Sequence, residues 1–294
     1  MNIAAETQSG LPRVPLGDWV DSFVDWVTST FAWLFDLVKS VLTWFYDQID
    51  LVLGTPPFWV VAIVLAGLAF WARSWKLGLG AIIGFAAIDV VGQWANAMDT
   101  LSLVLIASAI ALVIAIPMGI WAARNETVSQ VLRPVLDFMQ TMPAFVYLIP
   151  TVVIFRTGVV PGMVATVIFA LAPGIRFTEL GIRQVDREVV EAGHAFGASD
   201  RRIMRQIQLP LALPTIMAGI NQVIMLSLSM VVISGLVGAG GLGGDVVGAL
   251  QRLNVSLGFE AGLSVVILAM FLDRVTSALA DRAPVAKALK TASV

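Results

Sequence analysis

Three sets of residues in this 294-residue chain have types and spacings that could carry chemistry. His194 is the one histidine and the chain has no cysteine, so acid–base catalysis, thiol catalysis and zinc binding lack their usual partners. Gly238, Gly240 and Gly243 spell GxGxxG, the spacing of a dinucleotide-binding turn. Asp89 lies in a long apolar run, where a carboxylate is a candidate coupling group or counter-charge. What each set can do depends on the element that positions it.

The composition indicates an integral membrane protein. Hydrophobic residues make up 58% of the chain and charged residues 13%, whereas soluble domains carry about 25% charged residues. The formal net charge of −2 gives no electrostatic field for a nucleic-acid partner. The first apolar run begins after residue 15 and is interrupted by Asp, so no cleavable signal peptide is expected.

Residues 18–50 combine an apolar face with a polar stripe whose spacing is close to 3.6 residues, which predicts an amphipathic helix. We expect this helix to lie on the membrane surface, and packing on the chain's own helices is equally compatible with the pattern. The stripe consists of Asp18, Asp21, Asp25, Ser29, Asp36, Thr43, Asp47 and Asp50.

Seven further apolar windows predict about seven transmembrane helices, because each approaches the roughly 20 residues that cross a bilayer core. Pro143 and Pro150 are expected to interrupt the fourth, Pro173 with Gly174 to end the fifth, and Pro214 to open the sixth. The windows are 58–75, 77–97, 101–122, 139–157, 160–176, 211–235 and 259–273.

The basic residues predict the orientation in the cytoplasmic (inner) membrane. With the C-terminus in the cytoplasm, fourteen of the 18 Lys and Arg residues lie on the cytoplasmic side. The predicted divisions are an extracytoplasmic segment 1–56, a membrane domain 57–275 with a long cytoplasmic loop at about 176–210, and a cytoplasmic tail 276–294. The GxGxxG glycines then lie outside the cell without a βαβ unit, so we expect a flexible hairpin rather than a nucleotide site.

The cytoplasmic loop carries the sequence EAGHAFGASDRRIMRQIQLP at 191–210. A short helix is predicted from about Asp186, with one apolar face that contains Val189, Ala192, Gly193 and Phe196. Gly197 is a candidate C-cap residue for this helix, and Ser199 a candidate N-cap for a second one.

The second helix is expected to carry Ile203, Met204 and Ile207 on one side, with arginines on its other sides, and to stop at Pro210. An exposed apolar face rimmed by charge predicts a docking surface for another protein. The alternative is a loop that folds back on its own chain.

This loop resembles the EAA loop of permease subunits of binding-protein-dependent ABC importers, whose pattern is E-A-A, three residues, G, nine residues and I-x-L-P. Gly193 stands where the family usually has its second alanine. The segments LDFMQTMPAFVYLIP (136–150) and GLVGAGGLGG (235–244) are similar to the osmoprotectant branch of that family, which carries glycine betaine, proline betaine, carnitine and choline. The resemblance covers residues 58–275. The matching loop residues are Glu191, Ala192, Gly197, Ile207, Leu209 and Pro210.

The resemblance implies an all-α membrane fold of the type I ABC importer class with a MetI-like core. It implies a transport subunit and not an enzyme, in which the loop supplies a coupling helix to a cytoplasmic ATPase. The chain has no P-loop, so no cofactor is expected on it, and ATP and magnesium are expected on the ATPase. The other implied partners are an extracytoplasmic binding protein and a second copy of the chain, in a lipid membrane.

Residues for a substrate pathway are predicted from polarity and aromatic character within the spans. Aromatic faces attract quaternary ammonium groups, and ordinary packing in the helix bundle is an equally good explanation for each residue. The rival function is a secondary transporter driven by an ion gradient through Asp89. The candidates are Gln140, Thr141, Phe145, Tyr147, Asn221, Gln222, Ser229 and Asp89.

Overall fold

The structure, a computed structural model, describes residues 15–282. The predicted all-α fold is confirmed, since the described residues form helices and short links without a strand. The first fourteen residues of the predicted segment 1–56 and the end of the tail 276–294 lie outside the described range. The helices are α1 (Leu16–Thr30), α2 (Ala32–Gly54), α3 (Phe58–Ala72), α4 (Trp75–Val90), α5 (Trp94–Arg124), α6 (Glu126–Thr141), α7 (Leu148–Phe155), α8 (Val159–Arg183), α9 (Arg187–Ala195), α10 (Asp200–Ile203), α11 (Leu209–Ile233), α12 (Gly241–Arg252) and α13 (Val255–Asp281).

The acidic segment forms two helices, so the prediction of one helix over 18–50 is wrong. α1 ends at Phe31, whose N–H donates to the Val27 carbonyl, and α2 starts at the next residue. α2 packs on α5 and α7, and the Phe35 ring meets the Phe155 ring edge-on at 5.8 Å. α1 keeps large apolar side chains exposed, Trp19 and Phe23 among them. α2 therefore packs on the protein but, like α1, also exposes large apolar side chains such as Trp33 and Trp44, so both environments that the sequence left open occur.

Within residues 15–282, four helices are long and apolar enough to cross a membrane, namely α5, α8, the path from α10 through α11, and α13. Two bent pairs raise the number to six: α2 with α3, bent by 100°, and α6 with α7, bent by 108°. α3 and α4, with 15 and 16 residues, are shorter than a full span. The membrane character is confirmed, but the predicted number of seven spans is not.

The prolines act differently from the prediction at four positions. Pro143 does separate α6 from a 3₁₀ turn, Ala144–Tyr147, that leads into α7, whereas Pro150 lies in the first turn of α7 and does not interrupt it. Pro173 lies inside the continuous helix α8, and Pro214 lies inside α11, so neither ends or opens a span. Pro210 does not stop a helix either, because a π-helix, Met204–Gln208, runs directly into α11. Within a helix bundle, neighbouring helices support the backbone around a proline. The expectation that a proline ends a helix applies to exposed helices and does not include this support.

Small residues bring α5, α8 and α11 into close contact at the centre of the bundle. A Cβ atom on Gly119 of α5 would lie 2.5 Å from the Thr178 Cβ of α8. A Cβ atom on Gly219 of α11 would lie 2.5 Å from the Phe177 Cβ on the other side of the same helix. Membrane helices gain their stability from such close packing, because lipid tails are as apolar as the side chains. These three helices therefore form the central packing unit.

The glycine segment 235–244 is a tightly packed turn and helix start, so the prediction of a flexible hairpin is wrong. Gly238 and Gly240 have φ of 81° and 77°, conformations that glycine adopts without a steric penalty. A Cβ atom on Gly235 would collide with the backbone carbonyl of Gly243 at the start of α12. α12 packs on α5 and α13. The glycines thus hold α12 against the bundle.

Candidate functional site

The loop between α8 and α11 has the predicted helix, turn and helix. Because α8 extends to Arg183, the loop begins later than the predicted residue 176. An Asp186 carboxylate oxygen accepts the Glu188 N–H at 2.9 Å and caps α9. Gly197 has φ of 77° and its N–H donates to the His194 carbonyl at 2.8 Å, so the predicted glycine cap is confirmed. Ser199 is the N-cap of α10 through its backbone, without a side-chain hydrogen bond.

The predicted apolar face of α9 is divided between two surroundings. Gly193 is buried against the second helix, where an added Cβ would lie 2.9 Å from the end of Ile207. Ala192 is exposed, Val189 is 42% exposed, and Phe196 at the tip is 92% exposed. The side chain of Glu191 is exposed as well. An exposed surface with Phe196 at its tip is therefore left for a partner.

The second helix attaches the loop to the bundle, so the alternative of a loop folded on its own chain holds for this half. Ile203 and Met204 are 2% and 6% exposed. Leu209 packs on an apolar cluster with Ile182 and Ile216. Ile207, Leu209 and Pro210 are all half-buried. The predicted loop residues thus separate into an exposed set on α9 and an anchoring set that leads into α11.

The loop surface is rich in positive charge. Arg201, Arg202 and Arg205 are exposed on the second helix, as predicted. A hollow of about 570 Å³ opens between α9 and the end of α5, with Arg187, Glu191 and His194 among its walls. Charged rims around an apolar contact set the orientation and rate of protein association more than its affinity.

A buried ionic cluster, which the sequence analysis missed, fastens α6 to α8 beside the loop. Glu179 is 6% exposed, accepts the Ser129 hydroxyl at 2.6 Å and pairs with Arg183 at 2.9 Å. Arg183 also pairs with Glu126 at 2.7 Å. Arg133 lies 3.6 Å from Glu179. The four-residue spacing of Glu179 and Arg183 is the signal in the sequence that could have predicted their ion pair. The partners on α6 are about 50 residues from Glu179, so no local pattern predicts those contacts.

The first group of pathway candidates lies where α6 breaks. Gln140, Thr141 and Phe145 are exposed, and Phe145 is 56% exposed. Tyr147 is buried, its hydroxyl donates to the Met139 carbonyl, and its ring contacts Phe169 at 5.7 Å. Tyr147 therefore packs within the bundle, which agrees with the alternative of ordinary packing that the sequence left open for each pathway candidate.

The second group lies on α11, which contacts the 3₁₀ turn that carries Phe145. Gln222 and Ser229 are exposed on this helix. Asn221 is half-buried and its amide donates to Asp273 of α13 at 2.9 Å. Ser227 and Ser234 are fully buried on another side. The break after α6 therefore carries exposed polar and aromatic residues, and α11, which contacts the turn after that break, carries exposed polar residues of its own.

Asp89 is separate from these residues. It is half-buried at the second-last position of α4, which packs on α3, α5 and α13. A different polar cluster lies at the start of α5, where Gln93 and Asn96 donate to an Asp245 carboxylate oxygen of α12 at 2.9 and 2.8 Å. No local pattern predicts this cluster, because Asp245 lies about 150 residues from Gln93 and Asn96.

Comparison with known proteins agrees with this architecture. Residues 115–283 match the family described as "Binding-protein-dependent transport system inner membrane component". The chain is 49% identical over 266 residues to the glycine betaine transport system permease protein OpuAB of Bacillus subtilis (strain 168), covering 90% of this chain and 94% of that protein. It is 45% identical over 277 residues to the glycine betaine/carnitine transport permease protein GbuB of Listeria monocytogenes serotype 1/2a (strain 10403S), covering 93% and 98%.

The fold has a counterpart among solved structures. A chain of the MetNI methionine ABC transporter in an inward-facing conformation superposes with a TM-score of 0.55 at 24% identity, covering 62% of this chain and 93% of that one. This likeness concerns the fold alone and supports the predicted MetI-like core. With the loop, the helix order and the two permease relatives in agreement, the chain belongs to the family of binding-protein-dependent transport system inner membrane components.

Proposed function

We propose that this chain is the membrane subunit of an ATP-driven importer for a quaternary-ammonium compatible solute: glycine betaine, proline betaine, choline or carnitine. The observation that carries the proposal is the near full-length identity of 45–49% to permeases named for glycine betaine and carnitine. The exposed aromatic surface near Phe145 supports it, because aromatic faces attract quaternary ammonium groups. As a transport subunit, the chain performs no catalysis itself.

The ATPase subunit docks on α9 and the Gly197 turn. The exposed Phe196 and the exposed carboxylate of Glu191 suit a groove in a folded partner. Gly193 lets α9 lie against Ile207, so that a push on the tip reaches α11 through packed side chains. ATP and magnesium bind the partner, and the chain converts movement of its subunits into opening and closing of the pathway.

The pathway runs along the surface formed by Gln140, Thr141, Phe145, Gln222 and Ser229, facing the same surface of a second copy. A two-fold pair is the usual way in which one chain encloses a central pathway. The alternate conformations expose this surface to opposite sides of the membrane. The binding protein delivers the solute from outside, where the N-terminal segment lies, and the C-terminus is cytoplasmic.

The decisive test is reconstitution in liposomes with an ATPase subunit and a binding protein recovered with this chain from its native membrane. We expect uptake of radiolabelled glycine betaine that requires ATP inside the liposomes and the binding protein outside. Uptake driven by a proton or sodium gradient without ATP would contradict the proposal. Asp89→Asn separates the two mechanisms, because it abolishes ion-coupled uptake but leaves ATP-driven uptake near the wild-type rate.

A further inference from the structure

An apolar groove on the outside of the bundle, between α4 and α13, has no part in the proposed coupling or pathway. Its volume is about 260 Å³, and its floor is Phe85, which is fully buried. Leu77 and Gly80 of α4 line one wall, and Ile267 of α13 lines the other. Pockets for drug-sized ligands have volumes of roughly 300–1,000 Å³, so a groove of about 260 Å³ takes a smaller apolar group, such as part of a single hydrocarbon chain.

The groove is open because α4 carries glycine at the positions that would otherwise fill it. A Cβ on Gly80 would have no atom within 4 Å. A Cβ on Gly84, one turn further, would lie 2.8 Å from Ile267, where α4 and α13 touch and close the groove. The groove is thus closed at its Gly84 end and open at Gly80.

The opposite end of the groove is cationic. Arg274 of α13 lines it next to Leu77 and is exposed. Arg73 follows the last residue of α3 and Lys76 lies in the first turn of α4, next in sequence to Leu77, and both are exposed. The Arg282 guanidinium stacks over Trp71 at 4.7 Å. The nearest carboxylate to Arg274 is that of Asp273, whose Oδ2 lies 4.0 Å from the Arg274 Nε while its other oxygen accepts from Asn221. The side chains of Arg274 and Lys76 are therefore exposed to an anion from outside the chain.

We infer that the groove binds one acyl chain of an anionic phospholipid, with the phosphate at Arg274 and Lys76. An apolar slot that ends in a cluster of basic residues at a helix end matches the polarity of such a lipid from tail to headgroup. Both walls belong to helices of a membrane protein, so lipid is the surrounding medium of the groove. The inference depends on membrane location and not on which solute is carried.

The first test maps lipid contacts by photolabelling. The purified chain is placed in nanodiscs of phosphatidylcholine with a minor share of phosphatidylglycerol that carries a diazirine in its acyl chain. After irradiation, peptides containing Gly80 and Ile267 are expected to be labelled about tenfold more in wild type than in Gly80→Leu, which fills the groove. The control is Gly67→Leu on the exposed side of α3, also a glycine with open space, which should label as wild type.

The second test addresses the headgroup. Arg274→Gln should lower labelling by phosphatidylglycerol but not by the matching phosphatidylcholine probe, whereas Arg252→Gln, an exposed arginine elsewhere, should change neither. Labelling of the groove that is insensitive to Gly80→Leu would overturn the proposal. So would an oxidative cross-link between two copies of Gly80→Cys in native membranes, which would show that a second copy fills the groove; the chain has no cysteine of its own to interfere.

Discussion

At the residue scale, the side chain at the loop tip that is most available to a partner is that of Phe196. Phe196 is 92% exposed, whereas the neighbouring Gly193 is buried in the chain's own packing. A phenylalanine that projects into water loses favourable hydrophobic free energy unless a partner covers it. The residues that match the EAA pattern therefore differ in role, since Ile207 and Leu209 hold the loop and Phe196, outside the pattern, offers the contact.

Replacing Phe196 by serine should weaken association with the ATPase subunit by about 2 kcal/mol, or roughly 30-fold, because an aromatic anchor is lost. This loss of affinity is measured by the retention of the ATPase subunit on the immobilised chain during detergent washes. Phe259→Ser is the matched control, because Phe259 is also exposed, 70%, but lies at the other end of the molecule in the first turn of α13. Equal retention by both variants would rule out Phe196 as an anchor.

Gly197→Val should uncouple transport while leaving the chain in the membrane. The backbone at φ of 77° costs a β-branched residue of order 1–3 kcal/mol, so the turn shifts and α9 moves with it. Gly197→Asn should retain most activity, because asparagine tolerates this conformation better than other residues. Solute uptake per membrane-inserted chain is the measurement, and normal uptake by the valine variant would refute the prediction.

At the element scale, local signals in the sequence predicted local structure correctly. Asp186, Gly197 and Ser199 mark the ends of short helices through bonds to residues two to four positions away. The backbone conformation at Pro173 and the packing at Gly243 depend on the helices around them. Contacts with residues distant in sequence produce no periodic pattern from which they could be predicted. The same reason explains why no local pattern predicts the contacts of the buried acid Glu179 with Ser129 and Arg133, which belong to another helix.

The position of α6 depends on that buried acid. Glu179→Gln should destabilise the detergent-solubilised chain by about 2 kcal/mol, because the buried Glu179 carboxylate that accepts from Ser129 and pairs with Arg183 loses its charge. The control is Asp137→Asn, which breaks the more exposed pair of Asp137 with Arg176 and should cost less than about 1 kcal/mol. Thermal denaturation, monitored through aggregation, measures the stability of both variants. A lower stability of Asp137→Asn than of Glu179→Gln would contradict this account.

At the scale of the whole molecule, the orientation in the membrane can be measured with single cysteines, because the chain contains none. Ser199 and Ser256 are exposed at the two ends, beside the loop and at the start of α13. A membrane-impermeant maleimide should label Ser256→Cys in intact cells, and Ser199→Cys only after the membrane is opened. The opposite labelling would reverse the proposed orientation.

The helical path from Asp200 to Val237 has a mechanical consequence. It contains 38 residues without a large bend, and at 1.5 Å per residue it is about 57 Å long. A tilt of about 5° about one end would move the other end by about 5 Å, nearly the pitch of one helical turn. The path can thus act as a lever that turns a small rotation at the loop into a large displacement beside the glycine segment, with no change in the helix itself.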